Sequence, residues 1–101
     1  MAQTISYEVL QHVVFRDWLN SLRDTKAKAR IAMRIAYLSQ GNAGDFKAIG
    51  DSVMEMRIHY GPGYRVYYKQ TGRTVIILLC GGDETTQVRD MARAKELAAT
   101  V

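Results

Sequence analysis

Residues 53–70 carry side chains that could act together on a phosphate group. They read as two strands joined by a short turn, because apolar and polar residues alternate on both sides of Gly61-Pro62-Gly63. Side chains along a strand point to alternate faces of a sheet. The polar residues therefore share one face of the predicted hairpin, namely Glu55, Arg57, His59, Arg65, Tyr67 and Lys69.

The length of the turn predicts which of these side chains are neighbours. If residues 61–63 form the loop, Tyr60 lies opposite Tyr64, and every further pair follows from that one. Side chains directly opposite each other have Cβ atoms about 4.5–5.5 Å apart and touch. The predicted contacts are His59 with Arg65, Arg57 with Tyr67, and Glu55 with Lys69.

Such a face suits the cleavage of RNA by attack of its own 2′-hydroxyl group. His59 can act as the acid or the base near neutral pH. Arg57 and Arg65 can hold the phosphate through paired N–H groups and stabilise its extra charge. Tyr67 can stack on a base or donate its hydroxyl group. The alternative is a half-exposed hairpin whose polar face has no catalytic role.

No metal ion or other cofactor is expected. His12 and His59 fall on separate predicted elements, and the acidic residues lack the spacing of metal ligands. The single cysteine, Cys80, ends an apolar run and is predicted to be a buried thiol. A chain without an internal disulfide fits a reducing cytoplasm.

Positive charge is concentrated in two regions of a chain whose net charge is +4. The first region is residues 16–34, in which Lys26, Arg30 and Arg34 would share one stripe of a helix. The second region contains the hairpin residues Arg57 and Arg65, followed by Lys69 and Arg73. Both regions favour an anionic partner, either nucleic acid or an acidic protein segment. A solvated helix face is the alternative for the first.

The remaining sequence predicts the elements that would position these residues. One domain, residues 1–101, is expected from the length, and no apolar run reaches the roughly 20 residues that span a membrane. The period of the apolar residues predicts a strand at 3–8, a helix from Leu10 to Leu22, and a second helix that Asp24 or Thr25 caps and that stops at Gly41. Strands follow at 53–60, 64–70 and 73–80, and Asp83 caps a last helix over 85–99. The order β-α-α-β-β-β-α describes an α+β fold with a mainly antiparallel sheet and a helical hairpin on one face.

Three stretches of the chain resemble a known family of bacterial toxins. They are FRDWL at 15–19, MRIHYGPGYRVYY at 56–68 and LLCGGD at 78–83. In these motifs, and in the order of its elements, the chain resembles the RelE/ParE superfamily, in its HigB-like "addiction module killer" branch. This resemblance implies a compact RelE-like fold, with two helices on one sheet face and an active surface on the other.

The resemblance also implies a function and its partners. It implies the toxin of a type II toxin–antitoxin module that cleaves mRNA on the ribosome in the cytoplasm, without contact with a membrane. The cognate antitoxin would be a helix-turn-helix protein that binds operator DNA, and the toxin would reach that DNA only in complex with it. Arg65 matches the transition-state arginine of the superfamily, and Arg57 and His59 lie on the strand that supplies other catalytic groups.

One departure from the family pattern leaves alternatives open. After the last strand this chain has Gly82-Asp83-Glu84, where relatives place an arginine, lysine or histidine. Asp83 could be a polar catalytic group in that place, or only a helix cap. The general acid is therefore unassigned. A ParE-like inhibitor of DNA gyrase, which needs no nuclease site, and a toxin-fold binding module without catalysis both remain compatible with the sequence.

Overall fold

A computed structural model describes residues 6–101 and shows an α+β domain built on one five-stranded sheet. The strands lie in the order β1-β5-β4-β3-β2, and only the pair of β1 with β5 is parallel. In chain order the elements are β1 (Glu8–Gln11), α1 (Val13–Ser21), α2 (Thr25–Ser39), β2 (Phe46–Gly50), β3 (Val53–Ile58), β4 (Tyr64–Thr71), β5 (Val75–Gly82), a 3-10 turn (Glu84–Thr86) and α3 (Gln87–Ala98).

Helices α1 and α2 cover one face of the sheet, as the sequence predicts. Phe15 of α1 and Ile31 of α2 are completely buried, and they pack with Met56, Val66 and Leu78 of the three central strands. Asp24 caps α2, since its carboxylate accepts the backbone N–H groups of residues 26 and 27. This apolar layer holds β3 and β4 in place from one side.

Helix α3 packs on the opposite face and completes a second, smaller core. Ala94 and Ala98 of α3 are buried against Val53, Tyr67 and Leu79. Small residues on this side of the helix bring its backbone close to the sheet. Asp83 caps the preceding 3-10 turn by accepting the N–H of Thr85 at 2.9 Å, so helix capping is the role that its geometry displays.

Strand β5 lies inside the sheet between β1 and β4, which confirms the prediction from its continuous apolar run VIILLC. The pairing register shifts beside Tyr67 and Tyr68 of β4, where Leu79 is the extra residue. Leu79 and Cys80 therefore both contact the core under α3. Burial raises the pKa of the Cys80 thiol to about 12, with a further contribution from the charge of Asp90, in keeping with an unreactive buried thiol.

The first and second elements begin later than the sequence predicts. The predicted strand at 3–8 falls partly on residues 1–5, which lie outside the described residues, and β1 begins only at Glu8. Leu10 belongs to that strand and not to the first helix, which begins at Val13 after a cap from the His12 ring. The β-strand continues because it pairs in parallel with β5, a long-range contact that periodicity does not report.

Strand β2 is an element that the predicted order lacks. It pairs antiparallel with β3 and forms the edge of the sheet. Four of its five residues are exposed, so it shows no alternation of buried and exposed side chains. Among residues 6–101, no helix is long and apolar enough to span a membrane.

The hairpin register differs from the predicted one by two residues. The chain leaves the ladder at Ile58 and re-enters it at Tyr64, because two backbone hydrogen bonds fold residues 58–63 into successive turns. Arg57 therefore lies opposite Arg65, Glu55 opposite Tyr67, and Lys69 opposite Val53. A shift of two keeps the side chains that remain in the ladder on their predicted faces but changes their neighbours.

Candidate active site

A buried carboxylate stands at the centre of the polar hairpin face. The Glu55 side chain is 1% exposed and accepts four hydrogen bonds. Its Oε1 binds Arg57 Nε at 3.1 Å and Arg65 Nη1 at 3.5 Å, while its Oε2 accepts the Tyr67 hydroxyl at 3.0 Å and the Gln87 amide at 2.9 Å. These five residues, from β3, β4 and the first turn of α3, are called the Glu55 cluster below.

The Glu55 cluster keeps its carboxylate charged. Burial is the largest influence on the pKa of Glu55 and raises it. The combined effect of the polar partners is stronger and lowers the pKa below its ordinary value; these partners are Gln87, Arg57, Tyr67 and Arg65. Glu55 is therefore an anion near neutral pH, and it cannot serve as a proton donor there.

The two arginines are cross-strand neighbours that share one carboxylate oxygen. Arg57 keeps 33% of its side chain exposed, whereas Arg65 keeps 13%. Like charges directly opposite each other repel, and the negative charge of the shared Glu55 carboxylate offsets this repulsion. The Nε of Arg65 is buried and has no hydrogen-bond partner. A buried N–H without a partner costs about 1–3 kcal/mol, a cost that side chains selected only for stability avoid.

Tyr67 belongs to the interior of the Glu55 cluster and not to its surface. Its side chain is completely buried under α3, so its ring offers no face for a nucleic-acid base. Burial first, and then the nearby Glu55 carboxylate, raise the pKa of Tyr67 well above its ordinary value. The predicted stacking role is therefore wrong for this structure, and the hydroxyl is already donated to Glu55.

His59 lies outside the strand and pairs with a residue that the sequence does not single out. Its Nε2 is 2.5 Å from Oδ2 of Asp45, and 75% of the histidine side chain is exposed. The hydrogen bond to His59 is the main influence that lowers the pKa of Asp45, and the charges of Arg57 and Arg34 act in the same direction. A carboxylate on one ring nitrogen leaves the other available for proton transfer.

The predicted basic stripe on α2 is divided between two roles. Arg34 binds three backbone carbonyls, those of Arg57 at 2.5 Å, Ala43 at 3.0 Å and Asp45 at 3.3 Å. It is thus a structural clamp on the loop that carries Asp45, and its guanidinium is not presented to a partner. Arg30 lies 4.7 Å from the centre of the Tyr60 ring, and Lys26 is exposed.

The second predicted basic group also separates. Lys69 donates to the carbonyl of Ala98, the last residue of α3, at 3.0 Å and to that of Val101, just beyond the helix, at 3.4 Å. This contact caps the carboxyl end of the helix, where positive charge is favourable. Arg73 is exposed in the turn between β4 and β5 and is not one of the residues that bond to Glu55.

Of the predicted catalytic residues, the structure brings Arg57, Arg65 and Tyr67 together, while His59 bonds to the neighbouring Asp45. Asp45 and Gln87 were missed, and Glu55 was assigned only a surface pair with Lys69. One signal for Glu55 is present in the sequence, since Glu55 and Arg57 are two positions apart on the same face of one strand, a spacing that favours an ion pair. Nothing local indicates Gln87, which comes from a distant helix. Within residues 6–101, no group of three or more histidine, cysteine or acidic side chains could hold a metal ion.

The fold and site define a small α+β protein whose sheet carries a carboxylate-bound arginine pair. The chain is 44% identical over 94 residues to a protein of Haemophilus influenzae, described as an uncharacterized protein. The alignment covers 93% of this chain and 95% of the relative, so the chain belongs to the same family as that protein. No family model matches the chain, and no solved structure matches it.

Proposed function

We propose that the protein is the toxin of a type II toxin–antitoxin module and acts as a ribosome-dependent mRNA endoribonuclease. The observation that carries the proposal is the pair of arginines, Arg57 and Arg65, held side by side by one buried carboxylate. Two adjacent guanidinium groups suit a phosphate with an increasing negative charge. The resemblance of the motifs at 56–68 and 78–83 to HigB-like toxins directs this chemistry to mRNA.

The proposed reaction is the attack of a ribose 2′-hydroxyl on the adjacent phosphorus. The 2′-oxygen forms the new bond to phosphorus, the 5′-oxygen leaves, and a 2′,3′-cyclic phosphate results. Arg57, the more exposed arginine, contacts the phosphate oxygens, and Arg65 adds positive charge behind it. His59, oriented by Asp45, takes the proton from the attacking 2′-hydroxyl. The group that protonates the leaving oxygen is not assigned.

The partners follow from the same proposal. The toxin acts in the cytoplasm on mRNA in the ribosome, and a cognate antitoxin of the helix-turn-helix class neutralises it and carries it to operator DNA. Lys26 and Arg30 are the residues of α2 that remain on the surface for an anionic partner, either ribosomal RNA or an acidic antitoxin segment.

The test is pulse labelling after induction in bacteria that lack the antitoxin, with methionine and thymidine incorporation followed in parallel. The variant is Arg65→Lys, which keeps a positive charge beside Glu55 but removes the planar guanidinium. The control is Arg93→Lys, the same exchange at an exposed arginine of α3. We expect methionine incorporation to collapse first with wild type and Arg93→Lys, and to persist with Arg65→Lys.

A second function has specific support from the depth of the site. Arg65 is largely buried and Tyr67 completely so, as expected if the hairpin face stabilises a fold that acts by binding alone. A gyrase inhibitor of the ParE type would stop thymidine incorporation first and would remain toxic as Arg65→Lys. A binding module would cause no growth arrest at all. Either result would overturn the nuclease proposal.

A further inference from the structure

We propose that Glu55 and Gln87 are positioning residues, which together set the direction of the two arginines toward the scissile phosphate. This inference rests on the proposed nuclease function and assigns roles to two residues that would not touch the RNA. Glu55 fixes the arginines, and Gln87 fixes Glu55 from the first turn of α3.

The two carboxylate oxygens of Glu55 bind different kinds of donor. Oε1 accepts only from the arginines, and Oε2 accepts only from the neutral donors Tyr67 and Gln87. The neutral pair therefore fixes the rotation of the carboxylate about its last bond, and so decides where Oε1 points. Arg57 binds Glu55 through Nε, so the end of its guanidinium that carries the two terminal nitrogens is not needed for this bond. Those nitrogens are the ones that can hold a phosphate through two parallel hydrogen bonds.

The charge balance of the Glu55 cluster fits this role. Two arginines and one carboxylate leave one net positive charge, and the neutral amide of Gln87 adds none. A carboxylate at position 87 would face that of Glu55 and repel it, and it would cancel the remaining charge. The same cluster also tolerates a buried, unpartnered Nε on Arg65. An arrangement that retains charge and accepts an unsatisfied donor fits anion binding better than stability alone.

Hydrogen bonds hold the first turn of α3 in place, and with it the backbone that carries the Gln87 side chain. Asp83 and Thr86 form reciprocal capping bonds across the preceding 3-10 turn. Thr86 also donates its hydroxyl to the buried carboxylate of Asp90, one turn along α3. The backbone at Gln87 is therefore held in place, so the side-chain amide of Gln87 donates to Glu55 from a defined position.

The experiment compares Glu55→Gln and Gln87→Ala with the matched controls Glu96→Gln and Val88→Ala, two exposed positions on the same helix. Cleavage of mRNA on purified ribosomes is measured as the rate at saturating protein and as the half-saturating concentration. We expect Gln87→Ala to lower the saturating rate by on the order of 100-fold, as misplaced reacting groups do, with the half-saturating concentration unchanged. Gln87→Glu, which restores a hydrogen-bond acceptor but not the donor, should not rescue the rate, whereas Gln87→Asn should do so in part.

A second measurement does not depend on activity. The Nε–H signals of Arg57 and Arg65 in nitrogen-15 NMR spectra report whether each guanidinium is held. We expect two distinct, slowly exchanging signals in wild type and both controls, and their loss in Gln87→Ala at an unchanged unfolding temperature. If the rate or these signals match wild type in Gln87→Ala, the positioning inference is overturned. If wild type itself does not cleave mRNA, the proposed function fails, and the arginine signals alone decide whether Gln87 and Glu55 position the pair.

Discussion

At the scale of single residues, Gly81 of β5 lies directly against the indole ring of Trp18 of α1. A Cβ atom at Gly81 would overlap that ring. Trp18 packs in turn on Phe15 and Tyr64, with ring centres 5.8 and 6.2 Å away. Glycine at this position thus lets α1 lie flat on β5, and the motif LLCGGD has a packing reason besides any functional one.

We predict that Gly81→Ala destabilises the protein by about 1–3 kcal/mol, the usual range for overpacking a tight core. Urea unfolding followed by circular dichroism measures the change. The matched experiment repeats the substitution in a Trp18→Leu background, where the space is vacated. There the effect of Gly81→Ala should largely disappear, because residues in contact are not additive. An equal loss in both backgrounds would show that the ring is not the obstacle.

At the scale of elements, much of the secondary structure follows from periodicity, whereas the site depends on contacts between elements. The helices, the two hairpin strands and the internal strand β5 are each signalled by local apolar spacing or by a cap such as Asp24. Strand β2 is not predicted, because its side chains are nearly all exposed and its sequence therefore lacks the alternation of apolar and polar residues that marks a half-buried strand. The face of each residue that stays in the two paired strands is predictable, because the face depends only on whether the position is odd or even along the strand, and a shift of two does not change that.

The pairs themselves were not predictable, because the register depends on the turn. Residues 59 and 60 join the turn and do not extend the ladder, which moves Arg57 opposite Arg65 and releases His59 toward Asp45. Gln87 reaches the same site from a segment 32 positions away from Glu55. Long-range contacts of this kind leave no mark on local spacing.

Two of the three carbonyls that Arg34 binds lie in the segment between α2 and β2. We predict that Arg34→Ala lowers the free energy of unfolding by about 1–3 kcal/mol, since hydrogen bonds from a charged group to three carbonyls are lost. Lys26→Ala, on the same helix but exposed, should stay within about 0.5 kcal/mol of wild type. Hydrogen exchange should accelerate at residues 43–47 in the first variant alone. If the two variants behave alike, Arg34 is a surface residue and not a clamp.

At the scale of the whole molecule, ionisable groups whose pKa values are shifted by folding limit the pH range in which the fold is stable. The pKa values of Glu55 and Asp45 are lowered in the folded protein, so their contribution to stability is complete above the unfolded value of about 4. It is lost as the pH falls through the folded values. The pKa of Cys80 is raised to about 12, so its contribution is complete below the unfolded value of about 8.5 and is lost as the pH rises.

We therefore predict that the free energy of unfolding is nearly constant between about pH 5 and 8 and declines on both sides. Urea titrations at a series of pH values measure it. The alkaline decline should begin near pH 8.5 in wild type, because Cys80 ionises first in the unfolded chain, followed by Tyr67 near pH 10. In Cys80→Ala the decline should begin only near pH 10, although the cavity lowers the whole curve.

The acid side separates the Glu55 cluster from the exposed pair of Asp45 and His59. Glu55→Gln should flatten the acid decline, since the variant has no carboxyl group to protonate at the centre of the cluster, whereas Glu96→Gln should leave it unchanged. Asp45→Asn should have the smaller effect, because an exposed ion pair contributes little to folding. A wild-type curve that stays level down to pH 3 would mean that Glu55 is as easily protonated in the folded protein as in the unfolded one. The four hydrogen bonds to its carboxylate would then not favour the charged form, and the arginine pair would be held together by packing.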